Sequence, residues 1–336
     1  MKSQSAINFF PFLVFFLLIT SSCVMKTQKG REYSVLEPFT PDKTEKPLVS
    51  PQIEPSIPAK IEKPLVSRSS LATSVRRVYV LAIGISKYSN ILIEPLRYAD
   101  RDATEFAQHL RDSSDSTIHP QHVKILLNEK ATLANVKGAL TGFLRDAIAE
   151  DVVYIYLSGH GSPEPDNPDN MYFLAYDSDP NNMAVTALPM WDIETALQRY
   201  IKAERVVVIA DTCHSGGFGP QLASRGPGFA DDQGSAINDY FHALTKAGPG
   251  RTIFTASEPS EVSFEDSKWG GGHGVFTYFL LEGMKGKADF DHDGIVTLGE
   301  LADFVDVEVR RATNSRQHPY LTGEINRNLP IAVVGE

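Results

Sequence analysis

The sequence predicts an α/β fold, a mostly parallel sheet with helices on both faces. Three observations predict it. From Arg76 onward, short apolar runs alternate with segments whose apolar residues recur at helical spacing, which is the pattern of a parallel sheet wrapped by helices. The runs are near-continuous in Val, Ile, Leu and Tyr, as strands covered on both faces are. Two of them, Tyr154–Gly161 (YIYLSGHG) and Val206–Gly217 (VVVIADTCHSGG), run into a histidine and a cysteine. Ligands of such sheets bind at that place, beyond the carboxyl ends of the strands.

The chain ahead of this pattern reads as address and spacer. Residues 1–23 have a charged Lys2 and an apolar run, Phe9–Ile19, broken only by Pro11. The run is too short to span a bilayer and fits the apolar region of an export signal. Thr20–Ser21–Ser22–Cys23 resembles a bacterial lipoprotein signal, in which Cys23 is lipidated and becomes the first residue. Thr20 stands where that signal usually has Leu, so plain secretion remains the alternative. Residues 24–75 read as a disordered, Pro-rich tether. Seven of the chain's 21 prolines (Pro38, Pro41, Pro47, Pro51, Pro55, Pro58 and Pro64) fall there, and EKPLVS occurs twice, at Glu45–Ser50 and Glu62–Ser67. Such a stretch cannot build a core and favours extended conformations.

Residues 76–336 hold the folded domain. Val78–Ile85 is the first strand, and Ala99, Ala103, Phe106, Ala107 and Leu110 mark a helix. Val123–Leu127 is a strand, and Thr132 is placed to cap a helix carrying Leu133, Val136, Leu140, Leu144 and Ile148. Val152–Leu157, Arg205–Ala210 and Arg251–Ala256 are strands. Trp191–Ile201, Val275–Met284 and Leu298–Arg310 are helices, and Leu329–Val334 is expected to close the sheet.

The net charge of −10 over 336 residues argues against a nucleic-acid partner, because phosphates need a basic surface. There are two cysteines, Cys23 and Cys213. With Cys23 in the export signal, Cys213 is a free thiol, and a lone cysteine with a suitable histidine elsewhere is a candidate nucleophile. A thiol is mostly protonated at neutral pH and needs a base. His160 would take its proton and later protonate the leaving amine. Glycines beside both residues allow close approach of backbone N–H groups to a developing oxyanion.

With their strand context, SGHG and DTCHSGG resemble the caspase-like cysteine peptidases, most closely the metacaspase type. The opening VYVLAIGISKY…LRYADRDATEFAQHL is similar to that family's first strand and helix. The 53-residue separation of His160 and Cys213 is near the roughly 50 expected of caspases. The resemblance covers residues 76–334 and implies a three-layer sandwich and a cysteine endopeptidase with protein or peptide substrates. It implies His160 and Cys213 as the catalytic pair, with Gly161 and the Cys213 amide as oxyanion donors. His214 follows the nucleophile and is not the base. Metacaspases carry an acid two positions before the cysteine and cleave after Arg or Lys. Asp211 occupies that position, Asp102 matches the second acid of their primary pocket, and Ser158 matches a polar residue lining it. Two carboxylates in one pocket repel unless a cation sits between them. Asp100 is a nearby competitor for the role of Asp102.

Asp289–Glu300 (DFDHDGIVTLGE) matches an EF-hand-type calcium loop. Asp289, Asp291 and Asp293 would give carboxylates, Gly294 the sharp turn, Ile295 its carbonyl and Glu300 a bidentate carboxylate. Calcium is therefore an expected structural or regulatory ion, and the peptidase chemistry itself needs no cofactor. The calcium cluster that activates many metacaspases is not matched: Pro220 stands near one such position, and Asp177 and Asp179 fit others loosely. The long segment 219–250 is expected to be a processing or specificity loop, with Arg225, Lys246 and Arg251 as self-cleavage points. The signal and tether place the domain outside the cytoplasm, as an envelope lipoprotein held to a membrane by its lipid or as a secreted protein. The alternative function is a catalytically silent caspase-like domain that binds partners in a calcium-dependent way.

Overall fold

The computed structural model describes residues 77–113, 118–164, 167–213, 244, 250–258, 261–324 and 326–334, without the side chains of Ser113, Pro168, Asp169 and Cys213. The signal, the tether and most of segment 219–250 lie outside the described residues.

The strands follow the apolar runs. In chain order they are β1 (Val78–Gly84), β2 (Val123–Leu127), β3 (Val152–Glu164), β4 (Asn167–Phe173), β5 (Leu188–Pro189), β6 (Arg205–Cys213), β7 (Arg251–Thr255), β8 (Glu265–Asp266), β9 (His273–Gly274), β10 (Ile295–Thr297), β11 (Tyr320–Gly323) and β12 (Pro330–Val333). The main sheet runs β11-β7-β6-β3-β1-β2, and β4 and β5 extend it from the far end of β3. All its central pairings are parallel, and β11 joins β7 antiparallel. The chain leaves β1 first toward β2 and then returns to add β3, β6 and β7 on the other side. That reversal opens a crevice beyond the ends of β1 and β3, the usual ligand position in such sheets.

Among the described residues the α-helices are α1 (Ala99–Ser113), α2 (Leu133–Thr141), α3 (Met183–Thr186), α4 (Met190–Thr195), α5 (Val275–Glu282) and α6 (Leu298–Thr313). They divide between the two faces because alternate strand residues point oppositely. Tyr79, Leu81, Ile83, Val153, Ile155 and Leu157 pack with Val136 and Leu140 of α2 and Met190 and Ile193 of α4. Val80, Ala82, Tyr154 and Tyr156 pack with Phe106 and Leu110 of α1, Phe276 and Leu280 of α5, and Leu301 and Val305 of α6. Each fully buried Phe or Leu contributes about 1.5–3 kcal/mol. The result is the expected three-layer α/β sandwich. Local signals set the helix starts. Thr132 accepts from Asn135 N–H at the start of α2. Thr297 and Glu300 form a reciprocal capping box at the start of α6, satisfying two otherwise orphan donors.

One strand differs from expectation. Leu329–Val334 does not close the main sheet. Its core, β12, pairs antiparallel with β10 in a separate ribbon, because Leu329 and Ala332 bury against the α1, α5 and α6 layer. The sheet edge is instead the four-residue β11, YLTG, which carries too little apolar pattern to stand out in the sequence.

Helix α1 meets β1 very closely at Gly84. A Cβ there would lie 2.3 Å from the Ala99 carbonyl oxygen and 2.6 Å from Ala103 Cβ. Gly84→Ala should therefore push α1 off the sheet and lower unfolding stability by about 1–3 kcal/mol, the usual cost of overpacking, readable as a lower urea midpoint.

Candidate active site

The site is assembled by the parallel pairing of β3 with β6. In that register His160 is the Cα partner of Cys213 and Ser158 is the partner of Asp211. Neighbouring strands lie about 4.8 Å apart, so the backbone alone sets histidine beside cysteine at the carboxyl end of the sheet. His160 is buried, and the β1–α1 loop holds it. Its Nε2 lies 2.8 Å from the Glu94 carbonyl oxygen. A carbonyl only accepts, so Nε2 carries the proton and Nδ1 carries the lone pair. Nδ1 has no hydrogen-bond partner among the described residues. The Tyr88 hydroxyl accepts from the His160 backbone N–H at 2.9 Å, and the Tyr88 ring stacks on the imidazole with centroids 5.4 Å apart. Burial lowers the His160 pKa to about 4, against the opposing pull of the Glu94 carbonyl. The imidazole is thus neutral at physiological pH, with the Nδ1 lone pair available to accept a proton.

A polar knot closes the base of that loop. Asp100 accepts from Ser86 Oγ at 2.8 Å and from Asn128 Nδ2 at 2.8 Å. Asn128 Oδ1 in turn accepts from the backbone N–H groups of Ser86 and Lys87. Burial opposes ionisation of Asp100, but the hydrogen bonds from Asn128 and Ser86 outweigh it and lower its pKa. This separates Asp100 from Asp102: Asp100 ties the loop, and Asp102 faces Asp211.

Asp102 and Asp211 are 2% and 4% exposed and flank Gly274. A Cβ on Gly274 would lie 2.5 Å from Asp211 Oδ2 and 3.2 Å from Asp102 Oδ2, so only glycine fits between them. Asp102 Oδ2 accepts from the Gly274 N–H at 2.9 Å, and Oδ1 lies 2.5 Å from His273 Nδ1. Asp211 accepts from Ser263 Oγ and Thr277 Oγ1, each at 2.7 Å. Tyr156 Oη lies 2.5 Å from Thr277 Oγ1. With the Thr277 proton committed to Asp211, Tyr156 is the donor in that pair. Burial also raises the Tyr156 pKa well above the ordinary phenol value, which keeps that proton in place. Ser158 is buried beside them. Burial pushes Asp102 up to about 7, the Asp211 charge adds to the rise, and His273 and Gly274 pull against it. Burial raises Asp211 too, opposed by Thr277 and Ser263.

The expected residues Asp102, Ser158, His160 and Asp211 and the backbone of Cys213 converge. Gly161 faces Phe173 across the β3–β4 ladder. The bond there runs from Leu174 N–H to the His160 carbonyl, which makes Gly161 and Phe173 a non-hydrogen-bonded pair and leaves the Gly161 N–H outside that ladder. His273, Gly274, Thr277, Ser263, Tyr156, Tyr88 and the Glu94 carbonyl were not singled out by the sequence. The run GGGHG was the available signal, since three glycines before a histidine mark a tight, backbone-close turn. Arg251 is not placed as a self-cleavage point: it opens β7, is 7% exposed, and donates to the carbonyls of Ala203, Leu197 and Ile201. Arg225, Lys246, His214 and Pro220 lie outside the described residues. Asp177 accepts from Leu133 N–H at the start of α2, and Asp179 closes its own turn through Asn181 N–H.

The 289–300 loop stands apart from this site. One ligand atom each from Asp289, Asp291 and Asp293 lies within 4.8 Å of the others. The turn has positive φ at His292 (55°) and Gly294 (79°). Burial raises the Asp293 pKa, and Asp291, Asp289 and Glu300 add to the rise, a mutual repulsion that a cation would relieve. Val334 N–H bonds to the Gly294 carbonyl, so the Ile295 carbonyl stays outside the β10–β12 ladder, as a ligand position requires. Glu300 is engaged in the capping box, with Oε2 accepting from Thr297 N–H and Oγ. The donor set fits a calcium ion at the three aspartates and the Ile295 carbonyl, and Glu300 would have to turn from its cap to join them.

A parallel sheet of this order, with a histidine and a cysteine paired at the ends of adjacent central strands, defines a caspase-like α/β sandwich. The caspase domain family of peptidases (peptidase C14) matches residues 77–330, and the chain belongs to that family. Matching solved structures number 228 chains. One of them, the crystal structure of protein GSU0716 from Geobacter sulfurreducens, aligns with a TM-score of 0.51 at 18% identity, over 77% of this chain and 100% of that one. At that identity the likeness is one of fold. No curated relative matches the chain.

The Asp102–Asp211 coupling is directly measurable. Removing the Asp211 charge with Asp211→Asn should lower the Asp102 pKa from about 7, seen as a downfield carboxyl carbon transition at lower pH by NMR.

Proposed function

We propose that the chain is a cysteine endopeptidase that cleaves peptide bonds after Arg or Lys. The observation that carries this reading is the pairing of His160 with Cys213 in register, with the imidazole held in the one tautomer that leaves Nδ1 as a base. In the proposed reaction, His160 Nδ1 takes the Cys213 thiol proton and the thiolate attacks the carbonyl carbon. The oxyanion is met by the Gly161 and Cys213 N–H groups. As the C–N bond breaks, the imidazolium returns its proton to the leaving amine. A water molecule, deprotonated by His160, then hydrolyses the thioester and frees the thiol. The Glu94 carbonyl stabilises the imidazolium at each stage by accepting from Nε2. Specificity follows from the buried carboxylates of Asp102 and Asp211, which favour a cationic side chain beside them, with the Ser158 hydroxyl as a further polar group.

Fluorogenic peptides ending in Arg, Lys or Asp test this. Arg and Lys substrates should be cut by the wild type and not by Cys213→Ala. Cleavage only after Asp would overturn the pocket, and a folded but inactive enzyme would favour a silent binding domain. The pH profile has a defined direction. An acid whose pKa is raised loses its charge as pH falls through that value. Asp102, at about 7, should therefore weaken Arg binding below pH 7, with KM rising. His160, lowered to about 4, stays unprotonated over that interval, so a substrate with a neutral side chain should lack this limb.

The placement of the domain is proposed on the same footing. Residues 1–23 export the chain, Cys23 carries a lipid, and residues 24–75 hold the domain off the membrane as a tether. Cys23→Ser should move the protein out of the membrane fraction. Calcium is proposed as a structural ion at Asp289, Asp291, Asp293 and the Ile295 carbonyl. A ligand that binds only the folded state raises the melting temperature, and extracellular loops of this type bind at about millimolar calcium. Calcium should therefore raise the melting temperature of the wild type, and Asp291→Asn should abolish that rise.

A further inference from the structure

His273 belongs to the pocket, yet the proposed chemistry gives it no task. It is buried on β9, 3% exposed, and each ring nitrogen faces a carboxylate. Nδ1 lies 2.5 Å from Asp102 Oδ1, and Nε2 lies 3.4 Å from Glu105 Oε2. A neutral imidazole donates from one nitrogen and presents a lone pair at the other. Where Asp102 is ionised, as a pocket for a cation requires, that lone pair would point at a carboxylate, and the imidazolium is the form that faces both charges. The far end of the clamp is fixed as well. Arg101 Nε binds Glu105 Oε1 at 2.7 Å, and Arg101 Nη2 donates to the Gly270 carbonyl at 3.1 Å, in the turn that leads into His273. That turn cannot shift easily: Gly270, Gly271 and Gly272 all have positive φ, and a Cβ on Gly272 would lie 2.3 Å from the Tyr98 ring.

We infer that His273 is a specificity-determining positioning residue, an imidazolium held between Asp102 and Glu105 that keeps the Asp102 carboxylate oriented and ionised for a cationic substrate side chain. The inference rests on the basic-residue reading of the pocket. Two buried carboxylates around one glycine would otherwise share a proton, and a guanidinium would have to expel that proton to bind. The positive charge beside Asp102 makes that proton easier to expel. It also leaves the pocket with net negative charge, because the groups that hydrogen-bond Asp211, the hydroxyls of Ser263 and Thr277 and the Thr277 backbone N–H, are neutral. The surroundings are consistent with a cation at His273. Asp102 and Glu105 face it from α1, with Arg101 paired to Glu105. Asp211 acts on it from β6. β8 pairs with β9, bringing Glu265 and Asp266 alongside, with Lys268 against Asp266. Tyr278 of α5 has its ring centroid 6.3 Å from the imidazole, and Tyr98 packs on the preceding turn. Burial pushes Asp102 upward, and the His273 contact is the largest influence opposing that rise.

The test compares His273→Asn and His273→Ala with wild type on peptides ending in Arg and in norleucine, across pH, with thermal melts to confirm folding. Loss of the imidazolium should move the acid limb of kcat/KM for the Arg peptide upward by about one pH unit, which is about a fivefold rise in KM at about pH 7 and approaches about tenfold below about pH 6. The loss should fall in KM more than in kcat. His273→Asn can restore a donor to Asp102 without restoring charge, so it should recover part of the KM at high pH while its acid limb stays displaced. An Arg preference in wild type with unmoved limbs in both variants would overturn the inference. A wild type without any preference for Arg would instead sink the pocket reading. In that case, or if the variants fail to fold, imidazole nitrogen NMR of the full Cys213→Ala chain decides. His273 protonated on both nitrogens above pH 7 supports the clamp, and a neutral tautomer there refutes it.

Discussion

The constraint on which the rest of the structure depends is the register of β3 against β6. Because parallel strands align residue by residue, one choice of register fixes two pairs at once, His160 with Cys213 and Ser158 with Asp211. A slip of one residue would turn every side chain to the opposite face. The interior prevents that slip. Val153, Ile155 and Leu157 are committed to one helical layer and Tyr154 and Tyr156 to the other. The apolar residues that make the strand therefore also determine where the reactive ones arrive.

The chemistry of the site rests on burial that is only partly compensated. His160 is kept neutral by desolvation and oriented by a single carbonyl. The carboxylates of Asp102 and Asp211 are held by short hydrogen bonds from Gly274, Ser263 and Thr277 and by the imidazole of His273. Gln317 supports this from behind: its Nε2 donates to the Ala256 carbonyl at 2.8 Å and its Oε1 accepts from Phe264 N–H at 2.9 Å, fixing the segment that carries Ser263. Such networks are costly when half-satisfied, which explains why so many contacts converge on two carboxylates.

The sheet and its two helical layers were legible in the sequence, and so was the meeting of His160 with Cys213 and of Asp102 with Asp211 near the strand ends, because strand burial and strand-end motifs are local patterns. Thr132 announced its helix by its own chemistry. What was not legible depended on distant contacts. β11 is too short and mixed to be seen, and Leu329–Val334 looked like a sheet strand because apolar content does not say which layer it joins. Arg251 looked like an exposed basic residue, and only the three carbonyls around its guanidinium show otherwise. The roles of Tyr88, Glu94 and His273 come from loops that fold back onto strand ends. Asp100 and Asp102, two residues apart in one helix, could not be distinguished until Asn128 and Gly274 were in place around them.

The knot of Ser86, Asp100 and Asn128 links two parts of the site that are otherwise separate. The same short segment that it anchors presents Tyr88 and Glu94 to His160 and then leads directly into the helix carrying Asp102. The imidazole and the Asp102 carboxylate therefore share one mechanical foundation. A change at Asn128 would therefore be felt at the imidazole and at the carboxylate at once, whereas the turn of Gly270–Gly274 and the segment bearing Ser263 touch the carboxylates without passing through the knot.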